Sequence, residues 1–293
     1  MKKPLLYSFV LLIIYEVLLR IINIEWNTGQ HQFNVNAIKV ERMLIESDLP
    51  TKLLFGSSYS YRLNEDYWDT EILNVGLAGF SFLEGLELKD HFNIKADTIL
   101  IEVNMLTRSL NHQFVDSYSS HLKRLTLKTL YLTRTEYDPV GVFGNLLIDP
   151  ITGKFLYKFK LILEDLFRSP QKNHVSKPIN EDKTSTLEKL QEVWPLSARD
   201  SLLIQKRIEL IKEYATNNHS EEIFLIDIPM NSKHYTSEKM QYIKNLTSEI
   251  ARTTSNINFI PANDYSNYST SDGSHLDRSS AIKYVRYLEK RLN

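Results

Sequence analysis

Lys52-Leu53-Leu54-Phe55-Gly56-Ser57-Ser58-Tyr59-Ser60 is the stretch on which the reading of this chain turns. Its first residues form a short apolar run of the kind that fills a buried strand. A glycine then meets a row of small hydroxyl residues, which makes a tight strand-to-helix turn and lifts one side chain above a sheet. A serine raised in this way is exposed, and the helix N-terminus that follows stabilises negative charge. Gly-Ser-Ser is also a common loop tripeptide, so the turn takes its meaning from its surroundings.

Working outward, five runs have the apolar, β-branched look of buried parallel strands: Lys52–Phe55, Ile72–Val75, Thr98–Val103, Glu222–Ile228 and Ile257–Ile260. Helical patterns follow or separate them at Phe82–His91, Ala198–Ala215, Ser237–Arg252 and Ser279–Leu292. Alternation of this kind implies a parallel sheet with helices on both faces. Ligands of such sheets bind where the chain leaves the carboxyl ends of the strands.

Two more strand exits and one loop therefore carry interest. Asn74-Val75-Gly76-Leu77-Ala78-Gly79-Phe80-Ser81 holds two glycines, which either let backbone N–H groups approach a ligand or simply make a helix-entry turn. Ile101-Glu102-Val103-Asn104 ends in an asparagine that aims its amide at the same mouth or caps a helix. Ser271-Asp272-Gly273-Ser274-His275-Leu276-Asp277 precedes the last helix. An Asp three residues before a His lets the carboxylate hold one ring nitrogen and leaves the other free to act as a base. The other seven of the eight histidines are given no role.

Composition removes several classes. The chain of 293 residues suits one large domain better than two small ones. Net charge is −1, from 35 basic and 36 acidic residues, with no basic helix bearing stacked aromatics, so nucleic acid is not an expected partner. There are no cysteines, which excludes disulfides, thiolate metal sites and cysteine nucleophiles. The histidines lack clustered ligand spacing, so no metal and no cofactor is expected.

The N-terminus reads differently. Lys2 and Lys3 precede a strongly apolar run from Leu5 to Tyr15, continued by Val17, Leu18, Leu19, Ile21 and Ile22 and interrupted by Glu16 and Arg20. A bilayer core of about 30 Å needs about 20 mostly apolar helical residues, and Pro4 to Ile24 is just long enough. No small-residue cleavage pattern follows, and the lysines point to the cytoplasmic side, which predicts a single-pass anchor with the rest of the chain outside. The alternative is an amphipathic helix packed on the protein, with Glu16 and Arg20 facing one another at i, i+4. The expected organisation is an anchor over residues 1–25, a polar connector over 26–50 with a short helix at Ala37–Ile45, and a domain over 51–293. Within that domain, about 105–184 reads as a largely helical insertion over the strand ends, periodic at His121–Leu132 and Phe155–Phe167, with turns at Asp138-Pro139, Asp149-Pro150 and Ser169-Pro170 and a polar stretch at Ser169–Ser185.

Taken together and in this order, the pieces resemble the SGNH hydrolase (GDSL-type esterase) family from Lys52 to the C-terminus, with Met105–Thr184 unmatched. The resemblance implies Ser58 as nucleophile and Asp272 and His275 as its triad partners. It implies an oxyanion hole from the Ser58 N–H, the Gly79 N–H (with Gly76 as the alternative) and the Asn104 amide. Ser57 stands where the family has Asp, and Glu102 where it has the glycine of Gly-x-Asn. With the N-terminal anchor, the Gly-Ser-Ser variant is similar to extracytoplasmic accessory proteins of membrane-bound O-acyltransferases. That implies an esterase or O-acyltransferase acting on acyl esters, acetyl above all, of a cell-envelope polysaccharide. A rival expectation is a non-catalytic scaffold of the same fold that binds a membrane O-acyltransferase or a glycan. The expected fold is α/β, a three-layer flavodoxin-like domain around a parallel sheet of about five strands, plus the membrane helix.

Overall fold

The computed structural model describes residues 2–22, 32–137, 195–230 and 232–292. The chain forms two compact units, Met1–Ile38 with Leu125–Asp182 and Lys39–Arg124 with Lys183–Asn293. The expected helix at Phe155–Phe167, the three Pro turns and the polar stretch Ser169–Ser185 lie outside the described residues.

The second unit is built on a five-stranded sheet of β1 (Lys52–Gly56), β2 (Leu73–Gly76), β3 (Thr98–Glu102), β4 (Glu222–Ile226) and β5 (Ile257–Ile260). Every pairing is parallel, in the spatial order β2-β1-β3-β4-β5. This is the order of flavodoxin-like doubly wound sheets, whose ligands sit at the switch point between β1 and β3. Leu53, Leu54 and Phe55 of β1 and Ile99, Leu100 and Ile101 of β3 are wholly buried. Burial on both faces explains why these strands read as unbroken apolar runs.

The helices close the core by spacing and capping. In α7 (Ala198–Asn217) Ile204, Ile208 and Ile211 are buried, and Ser197 caps the first turn by accepting from Asp200 N at 3.0 Å. A single turn, α8 (Ser232–Tyr235), leads into α9 (Glu238–Thr253), where Met240, Ile243, Thr247 and Ile250 make the buried stripe. In α10 (Arg278–Leu292) Ala281, Tyr284, Val285 and Leu288 do so, and Asp277 accepts from Ser280 N at 2.8 Å. Between β2 and β3 lies α4 (Leu83–His91); a side chain at its Gly85 would come within 2.8 Å of the Phe55 ring, so the helix packs directly on β1. Lys89 of α4 joins the turn before β4 through Glu221 at 2.7 Å.

Several boundaries differ from the sequence reading. β4 stops at Ile226 rather than Ile228, because Ile228 N donates to the Asn104 side chain and leaves the ladder. The helix expected at His121–Leu132 is α6 (His121–Thr129), followed by a separate helical turn at Tyr131–Thr133. A short helix α5 (His112–Tyr118) lies within the stretch read as a largely helical insertion but outside its two periodic segments; Asn111 caps it by accepting from Phe114 N at 3.0 Å. The connector helix is α2 (Gln32–Ile45), which starts earlier than Ala37.

In the first unit α1 spans Lys2–Ile22. Its Glu16 pairs with Arg20 at 2.7 Å and also accepts from Tyr131 N and Leu132 N, while Arg20 donates to Thr129 O. Tyr15 donates its hydroxyl to Tyr137 O at 3.0 Å. These bonds satisfy both charges within the unit. Leu6, Phe9, Leu11, Leu12, Ile13, Ile14 and Val17 are all exposed. Among the described residues, no helix is long and apolar enough to cross a membrane.

Candidate active site

β1 delivers the chain to its carboxyl end at Gly56, and Ser57 then turns it into the four-residue helix α3 (Ser58–Tyr61). Ser57 is extended, with φ −100° and ψ −156°, and its Oγ accepts from Tyr59 N. Ser58, the first helical residue, is half-buried while Ser57, Tyr59 and Ser60 are buried. The turn therefore points one hydroxyl outward and holds its neighbours in.

The loop before α10 brings its partners to that hydroxyl. An isolated antiparallel bridge between Thr270 and Leu276, with Ser271 N donating to His275 O, closes the loop on itself. Gly273 occupies its crest at φ 82°, a conformation that favours glycine. Asp272 Oδ1 accepts from Ser274 N at 3.0 Å and from His275 N at 2.8 Å, and its Oδ2 lies 2.7 Å from His275 Nδ1. His275 Nε2 lies 2.8 Å from Ser58 Oγ. With Nδ1 protonated toward the carboxylate, Nε2 is left to accept the serine proton.

Electrostatics support that arrangement. Partial burial works to raise the Asp272 carboxyl, yet the hydrogen bonds from the His275 ring and backbone, the charge of His275 and the Ser274 N–H outweigh it, so the acid is held well below the usual range. Tyr59 packs against the imidazole with ring centroids 5.0 Å apart. Burial pushes its hydroxyl up to about 12, so it stays neutral beside the histidine.

The remaining sequence candidates are arranged less simply. Gly79 is exposed in the β2–α4 loop at φ 86°, and Gly76 is the buried last residue of β2, paired with Gly56. Asn104 is buried, donates through Nδ2 to Ile228 O at 2.9 Å and to Asp227 Oδ1 at 3.4 Å, and accepts from Ile228 N. Both protons of its amide are engaged at the exit of β4. Sequence reasoning does not find the partners of Glu102: its carboxylate accepts from Ser57 N, Ser57 Oγ and Ser60 N. The one signal is an acidic residue at the end of an otherwise apolar strand. Among the described residues no cluster of His, Cys, Asp or Glu could hold a metal ion.

No family model and no curated protein matches the chain. A solved structure described as a "putative platelet activating factor" from Streptococcus pneumonia is similar over 89% of this chain and 92% of its own, at 12% identity and a TM-score of 0.43. A likeness that distant adds nothing to the geometry.

Proposed function

We propose that the chain is a serine esterase or O-acyltransferase whose triad is Ser58, His275 and Asp272. The observation that carries this reading is the unbroken hydrogen-bonded line from Ser58 Oγ through the imidazole to the Asp272 carboxylate, at 2.8 Å and 2.7 Å. Ser58 Oγ attacks an ester carbonyl and passes its proton to His275 Nε2. The imidazolium returns that proton to the departing alkoxide as the C–O bond breaks, leaving an acyl-serine. Water, or a sugar hydroxyl, then attacks the acyl carbon while His275 takes its proton; the bond from the acyl carbon to Ser58 Oγ breaks and His275 returns the proton to Ser58 Oγ, which releases the acid or the new ester.

The Ser58 and Gly79 N–H groups serve as oxyanion donors, each of the kind whose loss costs about 2.7–4 kcal/mol in the transition state. Asn104 joins them only by exchanging its bonds to Ile228 and Asp227. The substrate in this reading is an acyl ester, acetyl above all, on a cell-envelope polysaccharide, with a membrane-bound O-acyltransferase as partner; both follow from the SGNH resemblance of the motifs. Membrane attachment through α1 belongs to the same proposal and is supported by its exposed apolar side chains from Leu6 to Val17.

The test is p-nitrophenyl acetate hydrolysis by the wild type, Ser58→Ala and His275→Ala. An acyl-enzyme burst abolished by the first variant, with kcat reduced by several orders of magnitude in the second, supports the triad. A second reading, a scaffold that binds without chemistry, is favoured by the engagement of both Asn104 amide protons. A folded wild type that never forms acyl-serine would select it.

A further inference from the structure

The strongest chemistry left unused by the triad is the carboxylate of Glu102. It sits at the last position of β3, where the ladder to β1 has ended at Phe55 and Ile101 and the next residue of β1 is Gly56. A side-chain carbon at Gly56 would stand 2.6 Å from Glu102 Cβ and from its Oε2. The bare glycine is what lets the acid lie beneath the nucleophile turn. There its Oε2 takes Ser57 N at 2.6 Å and Ser60 N at 3.2 Å, and the Ser57 hydroxyl lies 2.8 Å and 2.9 Å from its two oxygens.

A carboxylate wholly removed from water is costly unless donors surround it. Burial does push the Glu102 acid upward, and the bonds from Ser57 and Ser60 offset this in part. The donors come from the residues on either side of Ser58. Ser57 N and Ser60 N go to Glu102, and Tyr59 N goes to Ser57 Oγ. Among the described residues, the Ser58 N–H is the one backbone donor of the turn with no partner in the protein. The turn thus consumes its other donors internally and leaves free the one an oxyanion would need.

We propose that Glu102 is a positioning residue: by tying down the amides of Ser57 and Ser60 it sets the direction of both the Ser58 hydroxyl and the Ser58 N–H. This rests on the reading of Ser58 as nucleophile. It also gives the acidic residue in Glu102-Val103-Asn104 a role, since the acid braces the serine turn from the neighbouring strand.

The experiment compares full-length wild type, Glu102→Gln and Ser58→Ala in pre-steady-state hydrolysis of p-nitrophenyl acetate, with active sites counted by burst amplitude. Hydrogen exchange of the peptide covering Ser57 to Ser60 is followed alongside. Glu102→Gln removes the charge that binds the Ser57 and Ser60 N–H groups, and its amide nitrogen takes the place of the oxygen that meets the Ser57 hydroxyl, so both amides are held by a weaker, neutral acceptor. The expected result is an acylation rate per active site at least tenfold lower, KM unchanged, and faster exchange at Ser57 and Ser60. A merely structural acid would lower the amount of folded protein and leave the rate per site alone, and that outcome overturns the proposal. Glu102→Asp, which keeps the acceptor but draws it back, carries the same comparison if Glu102→Gln does not fold. An inactive wild type brings down the reading of Ser58 and this proposal together; an active wild type with an equally fast Glu102→Gln brings down this proposal alone.

Discussion

His275 Nε2 meets Ser58 Oγ at 2.8 Å although 217 positions of sequence separate the two residues. The contact depends on the Asp272 carboxylate, which fixes the ring through Nδ1 and the loop through two backbone N–H groups. Asp272→Asn keeps an acceptor for the backbone but can present its amide N–H to Nδ1, which favours the wrong tautomer. We expect kcat for p-nitrophenyl acetate to fall about 10⁴-fold, with a lower urea midpoint because the charge-assisted bonds that hold the loop are weakened. Activity within tenfold of wild type would mean that the histidine does not need the acid.

Lys89 and Glu221 form a buried ion pair at 2.7 Å, and Tyr214 donates its hydroxyl to the other Glu221 oxygen at 2.6 Å. Breaking such a pair from one side strands a charge and costs about 3–5 kcal/mol, whereas replacing all partners by apolar residues is often neutral. Lys89→Met alone should therefore lower stability by about that amount. Adding Glu221→Leu and Tyr214→Phe should restore most of it in urea titrations. A triple variant less stable than Lys89→Met would show the network to be worth more than its desolvation cost.

The parts of this fold legible in the sequence are those whose cause is local. Leu53-Leu54-Phe55 and Ile99-Leu100-Ile101 announce themselves because both faces of the strand are buried. Asp272 and His275 are three residues apart, so one loop suffices to join them. Relations set by strand register are not legible in this way. Glu102 reaches Ser57 across 45 positions because β1 and β3 are neighbours and Gly56 leaves room, and neither condition is written near Glu102. Asn104 has two equal readings in the sequence, and its bonds to Ile228 depend on where β4 ends. The exit of β4 differs from its apolar pattern for the same reason.

Asp227 links that exit to pH. Its side chain is wholly buried, Asn104 Nδ2 lies 3.4 Å from Oδ1, and Lys244 Nζ lies 3.7 Å from Oδ2, an ion-pair distance longer than a hydrogen bond. Burial raises its acid to about 6, and Lys244 offsets only part of this. The folded state then holds a proton that the unfolded state has released, so stability declines as pH rises from about 4 through 6 and is flat above. Asp227→Asn cannot titrate. The difference in unfolding free energy between wild type and variant should therefore change by up to about 3 kcal/mol across that window and be constant above pH 7. A difference independent of pH from 4 to 7 would mean that Asp227 has an ordinary acidity in the fold.

The last prediction concerns α1. The two charged residues within its apolar run are already bonded within their own unit, Glu16 to Tyr131 N and Leu132 N and Arg20 to Thr129 O, so its exposed apolar side chains are what a lipid phase would take up. From Leu6 to Val17 the helix covers about 18 Å, well short of the roughly 30 Å hydrocarbon core, so this surface suits lying against a membrane better than crossing it. Leu11→Lys with Ile14→Lys places two charges in the middle of that surface, each costing about 2.5–3.5 kcal/mol in a bilayer. If α1 holds the protein at a membrane, the double variant should shift from the membrane fraction to the supernatant. The p-nitrophenyl acetate burst should be unchanged, since Ser58 and His275 belong to the other unit. Equal partitioning of wild type and variant would leave α1 as a helix packed on protein, with its leucines and isoleucines covered by a partner chain rather than by lipid.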